Sequence, residues 1–169
     1  MEVTIVVNLK AKPFNLTDED IKWVEATIAD MTIEEKIGQL FVNMGASREE
    51  EYLKDMLNTY HIGAVRYNPA TAEQVYDQNK ILQENSKIPL LIAANTEAGG
   101  NGACVNGTYV ASQVKIGATN DPKYAYEMGR VSGVEAAAIG CNWSFAPVVD
   151  IDMNWRNPII SSRCYSNKA

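Results

Sequence analysis

Residues 88–104 read IPLLIAANTEAGGNGAC. A proline opens a run of branched and small apolar residues. At Asn95-Thr96-Glu97 the character changes to amide, hydroxyl and acid, followed by a loop with three glycines. A short apolar run bounded by turn-forming residues marks a strand buried in a sheet. When such a strand ends on polar side chains and a loop almost free of them, a ligand can come close to its end. Parallel α/β folds put their chemistry there, at the carboxyl ends of the strands.

The sequence on either side repeats the pattern. Residues 40–44, 62–67 and 142–145 are three more short apolar runs. Ser47-x-x-Glu50 reads as a capping box, ahead of Leu53, Met56, Leu57 and Tyr60 on one helical side. Thr71-x-x-Gln74 opens a helix that reaches Asn85, and Asp121-Pro122 opens another that Gly140 ends. Two helices come earlier. Thr17 precedes a first turn of acids and a face of Ile21, Val24, Ile28 and Met31. The Thr32–Glu35 capping box opens the second, with Ile33, Ile37 and Leu40 turned inward and Gly38 implying close packing.

Strands alternating with helices predict the α/β class: parallel βα repeats with about four strands, preceded by two helices. The strands lack clean polar–apolar alternation, which predicts a sheet covered on both faces. The domain is expected over residues 17–169, behind a lead segment of residues 1–16. His61, ahead of the second strand, falls at the structural end of the sheet. The residues after Pro147 read as a long loop.

Composition narrows the partners. With 46% hydrophobic and 21% charged residues, 169 residues suffice for one core. A net charge of -6 argues against nucleic acid and anionic membrane as partners. No apolar run approaches the roughly 20 residues that cross a bilayer. The start lacks the features of a secretory leader, so with Met1 as the natural start a cytoplasmic protein is expected. Three widely spaced cysteines and one histidine form no metal pattern, so free thiols, no metal and no cofactor are expected.

Gly100-x-Gly102-x-x-Val105 fails the third glycine of the dinucleotide fingerprint, and Gly102-x-x-x-x-Gly107-Thr108 lacks the phosphate-binding lysine. What remains is a loop that lets backbone or a ligand approach closely, or an ordinary long turn. Glu97, Asp150 and Asp152 are acids near strand ends, able to do glycosidase work or to pair with Arg156 or Arg163. Asp150 reads as an orienting group and Asp152 as the more exposed. Arg163 offers a rigid fork of donors, for sugar hydroxyls or for a carboxylate. Glycosylation triplets at Asn15, Asn106 and Asn142 carry weight only in a secreted protein.

MTIEEKIGQLF, HIGAVRY, IPLLIAANTEAGG, AAAIGCNWSFAPVVDID and RNPIISSRCYS occur in an order and at a spacing that resemble the amino-terminal domain of glycoside hydrolase family 3. The resemblance runs from about Met31 to the end, and the EAGG form is similar to the β-N-acetylhexosaminidase branch. It implies the first half of a TIM (β/α)8 barrel, a fold that takes about 250 residues when complete. It implies an exo-acting, retaining enzyme that removes β-linked N-acetylhexosamine from nonreducing ends of a carbohydrate substrate. Asn95, Glu97 and Arg163 are the substrate-binding residues expected from it, and Asp150 a structural one. The family has an aspartate where Asn95 stands, which removes one charge-assisted hydrogen bond to the sugar.

No catalytic residue is expected within this chain. In the family the Lys-His pair, the nucleophilic Asp and the acid/base His all follow later than Ala169. The isolated chain is therefore expected to be inactive, and to associate as a homodimer or with the missing C-terminal half of the barrel. Three alternatives remain: a β-glucosidase or β-xylosidase-type fragment of the same family, a non-catalytic carbohydrate-binding half-barrel module, and an unrelated doubly wound domain.

Overall fold

The computed structural model describes residues 7–168; the expected lead segment, residues 1–16, lies partly outside the described residues. Three helices begin where hydroxyl caps predict. Thr17, Thr32 and Thr71 each accept the backbone N–H of the third residue on, whose side chain reaches back to the cap's own N–H. They open α1 (Asp18–Asp30), α2 (Ile33–Gly38) and the later α4 (Ala72–Glu84). Ser47 does not cap α3 (Glu50–Tyr60). Its Oγ accepts the Glu49 N–H in a tight local turn, and Glu49 takes the N-cap position without a side-chain bond.

β1 (Val42–Gly45), β2 (Ala64–Tyr67), β3 (Leu91–Ala94) and β4 (Trp143–Ser144) form one parallel sheet in the order β1-β2-β3-β4. Sequential order with a helix after each of the first three strands is the arrangement of one half of a (β/α)8 barrel. The last connection holds two helices, α5 (Gln113–Ala118) and α6 (Pro122–Ala138). α5 was not expected, because Ser112 makes no side-chain cap and Gly117 weakens a run of six residues.

The strands are shorter than the apolar runs, and the reason is local. Pro89 has no N–H to give a ladder. Leu90 bonds instead to a side chain, its N–H donating to Gln83 Oε1 at 3.0 Å and its carbonyl accepting from Gln83 Nε2 and Asn142 Nδ2. Asn142 Oδ1 also accepts the Ile92 N–H at 2.7 Å, so this amide clamps β3 just ahead of β4.

The two faces of the sheet have opposite surroundings. Val65, Tyr67, Ile92 and Ala94 lie in the core with Leu53, Met56 and Leu57 of α3 and Val75 and Leu82 of α4. Val42, Met44, Leu91 and Trp143, from the other face, are 39–51% exposed. The expectation of cover on both faces therefore fails for the described residues. Helices pack on one face only; on the other the larger side chains are open, while the small Ala64 and Ala93 are covered.

At the amino-terminal ends of the strands Gly38 has no room for a Cβ against the Tyr60 and His61 carbonyls, as close packing requires. His61 takes a left-handed conformation (φ 50°) to end α3, and its carbonyl accepts from Gln39 Nε2 at 2.8 Å. This is the structural part expected of it. The inward turn expected of α2 is absent: Ile33, Ile37 and Leu40 are exposed, because Gly38 and Gln39 make the contact with the body.

Candidate functional site

At the carboxyl end of β3 the chain leaves the sheet through Asn95, Thr96 and Glu97. Alternation along an extended chain separates their roles. Asn95 continues the parity of Leu91 and Ala93, on the open face, where Arg66 reaches it, and Glu97 follows in a bend beyond the strand. Thr96 turns the other way and is buried, its Oγ1 sharing a hydrogen bond with Ser144 Oγ (2.7 Å) and its carbonyl accepting from Ser132 of α6 (3.1 Å). The hydroxyl pins the strand end, so its neighbours are held facing the opening.

Glu97 meets Arg163 across 66 residues of sequence. Arg163 Nε donates to Oε2 at 2.8 Å and Nη2 to Oε1 at 2.7 Å, a two-pronged pair that ties the β3 loop to the loop after β4. The glutamate hydrogen bonds and charge, with a smaller contribution from Asp150, raise the affinity of the guanidinium for its proton above its ordinary value. Asp150 is exposed and close enough to add to that field. Asp152, expected to be the more exposed of the two, is half-buried, and its Oδ1 is enclosed without a hydrogen-bond donor among the described residues.

Sequence reasoning gave no role to Arg66. It stands in β2 opposite Met44 and Ala93 and reaches Asn95, with Nε to Oδ1 at 3.3 Å and Nη1 to Met44 Sδ at 3.0 Å. The clue was an arginine inside the apolar run IGAVRY, at the parity that faces the opening. Trp143 and Phe145 face the same way and stack edge to face, ring centroids 4.7 Å apart. They supply an apolar wall next to Ala93, the strand partner of Trp143.

The glycines after Glu97 serve the chain rather than a ligand. Gly102 has no room for a Cβ against the Asn95 carbonyl, and Gly99 adopts φ 135°. Glu135 of α6 closes this loop, accepting the Thr108 N–H at 2.8 Å and its hydroxyl at 2.5 Å. The Thr108 hydroxyl first, and then its N–H, hold the Glu135 carboxyl below its ordinary value. The glycine-rich stretch is thus a packed spacer that fixes where Asn95 and Glu97 point.

The three cysteines are free and buried. Burial pushes the thiols of Cys104 and Cys141 up in pKa, and burial also raises the Tyr67 phenol, which shares a 2.9 Å hydrogen bond with Cys141. Thiols kept protonated are poor nucleophiles. No group of three or more His, Cys, Asp or Glu among the described residues could hold a metal ion. The described residues also include no helix long and apolar enough to cross a membrane. The site presents an amide, two guanidiniums and an aromatic wall, and the Glu97 carboxylate is paired with Arg163.

Comparison with known proteins agrees with the fold. Residues 32–169 match the family model described as glycosyl hydrolase family 3 N terminal domain. The chain is 38% identical over 164 residues to a beta-N-acetylglucosaminidase/beta-glucosidase of Cellulomonas fimi, covering 97% of this chain and 29% of that protein. It is 32% identical over 139 residues to the periplasmic beta-glucosidase of Salmonella typhimurium, covering 79% of this chain and 17% of that one. Among solved structures it is similar to the beta-glucoside phosphorylase BglX bound to 2FGlc, with 40% identity and a TM-score of 0.87 over 95% of this chain and 29% of that chain. The chain thus spans less than a third of the length of each of these relatives.

Proposed function

The chain belongs to the amino-terminal domain of glycosyl hydrolase family 3, and from that premise we propose that it supplies the sugar-binding part of an enzyme that removes β-linked N-acetylhexosamine from nonreducing ends with retention. One observation carries the reading: the two-pronged Glu97–Arg163 pair at the end of β3, beside Asn95. Glu97 takes two of the donors of the guanidinium, and the others remain for sugar hydroxyls. Asn95 both donates and accepts, so it serves a hydroxyl pair without a charge. The name of the Cellulomonas fimi relative and the EAGG form of the β3 motif favour an N-acetylhexosamine.

Retaining cleavage needs a carboxylate nucleophile and an acid/base near one anomeric carbon. Glu97 is locked by Arg163, and Asp150 serves the field around that arginine. We therefore place both reacting groups on further βα units that cover the open face and complete the barrel, and the chain by itself binds without turnover. Hydrolysis of 4-nitrophenyl β-N-acetylglucosaminide and β-glucoside by the natural full-length protein tests the sugar. Preference for the N-acetyl substrate is expected, and preference for the glucoside rejects it.

A second reading concerns the acceptor: phosphate in place of water. The 40% identity to a beta-glucoside phosphorylase favours it, and so does Arg66, a cation whose two partners are uncharged.

A further inference from the structure

We propose that Arg66, with Asn95, binds a small oxyanion, inorganic phosphate in the first instance, on the open face of the sheet beside the sugar position. The choice of phosphate rests on the second reading above; the site itself rests on geometry. Arg66 is half-buried in the middle of the sheet, where a charge is costly unless it is paired. Its nitrogens meet the Asn95 amide oxygen and the Met44 thioether, a neutral acceptor and a weak one. Among the described residues it makes no ion pair, whereas Arg163, at the same end of the sheet, has a carboxylate on both prongs. A planar fork of donors without a counter-charge fits two oxygens of a phosphate.

Position 95 decides whether that charge is available. An aspartate there would give Arg66 its counter-ion from within the chain. The amide holds the guanidinium in place by one hydrogen bond and leaves the charge for a ligand. In the reaction this serves, the carboxylate nucleophile first bonds to the anomeric carbon as the bond to the aglycone oxygen breaks, and the aglycone leaves as an alcohol with the proton of the acid/base. A phosphate oxygen then forms the new bond to the anomeric carbon as the bond to the carboxylate breaks; the proton that phosphate gives up restores the acid/base, and a glycosyl phosphate remains. Arg66 is a positioning residue for the acceptor.

Titration calorimetry of the protein with inorganic phosphate at constant ionic strength tests the site. Binding in the millimolar range or tighter is expected, with sulfate competing and glucose not. Arg66→Gln and Asn95→Asp should each weaken phosphate by roughly tenfold or more, and Arg66→Lys should keep part of the affinity. Lys123→Gln, on an exposed helix start, should leave it unchanged. Circular dichroism checks folding, and Asn95→Asp, isosteric with the natural residue, carries the test where Arg66→Gln does not fold. Absence of phosphate binding in the natural protein, or undiminished binding in both variants, overturns the proposal. Product analysis separates this from the reading it rests on: free sugar as the only product, with phosphate still lost in the variants, removes phosphorolysis and leaves the anion site.

Discussion

The same four strands present two faces with opposite fates. On one, Val65, Tyr67, Ile92 and Ala94 are at most 3% exposed beneath α3 and α4. On the other, Val42, Met44, Leu91 and Trp143 are 39–51% exposed, and Arg66 and Asn95 share their side, with Glu97 at its end. The difference separates what holds the fold together from what is left open to a ligand. The covered face holds the fold, while the open face holds the groups that could meet a ligand.

The adjacent residues Ile92 and Leu91 give the sharpest way to break that contrast. Ile92→Ala empties a fully enclosed site and should cost about 2–4 kcal/mol in urea denaturation. Leu91→Ala removes a half-exposed side chain and should cost about 0.5 kcal/mol or less. Equal losses would mean that the open face is packed too. Tyr67→Phe removes the hydroxyl that donates to the Ala103 carbonyl and meets Cys141, and should cost about 1 kcal/mol by the same measurement.

A smaller effect sharpens the comparison through pH. Glu135 has a folded pKa lowered from 4.5, so its stabilising hydrogen bonds are fully present above that value and fade as pH falls through the lowered one. Glu135 is only partly buried, so the contribution is below about 1 kcal/mol. Thermal denaturation should show Glu135→Gln less stable than the natural chain at pH 7. At about pH 3 the gap should narrow as the carboxylate protonates. A gap constant with pH would assign Glu135 a packing role instead.

Much of this was legible in the sequence. Capping boxes at Thr17, Thr32 and Thr71, and Pro122 with Gly140, set helix limits because they are local devices. The four apolar runs located the strands, yet not which face was covered. In short strands of mixed small and branched residues, Val42 and Val65 look alike, and only the neighbouring elements distinguish them. Asn95, Glu97 and Arg163 were visible as types of residue. Their union was not, since it joins loops 66 residues apart. Arg66 is silent in the sequence because a single charge within an apolar run does not say which face of the sheet it takes. α5 had no cap to announce it.

The central claim is that the open end of the sheet, at Asn95, Glu97 and Arg163, is where this chain holds a sugar. Titrating N-acetylglucosamine into the labelled protein while following its backbone amides tests that most directly. The resonances of Asn95, Glu97 and Arg163 should move together, while those of Gln39 and His61 at the opposite end stay fixed. Movement confined to the Gln39–His61 end, or a saturable shift that bypasses all three residues, would contradict it.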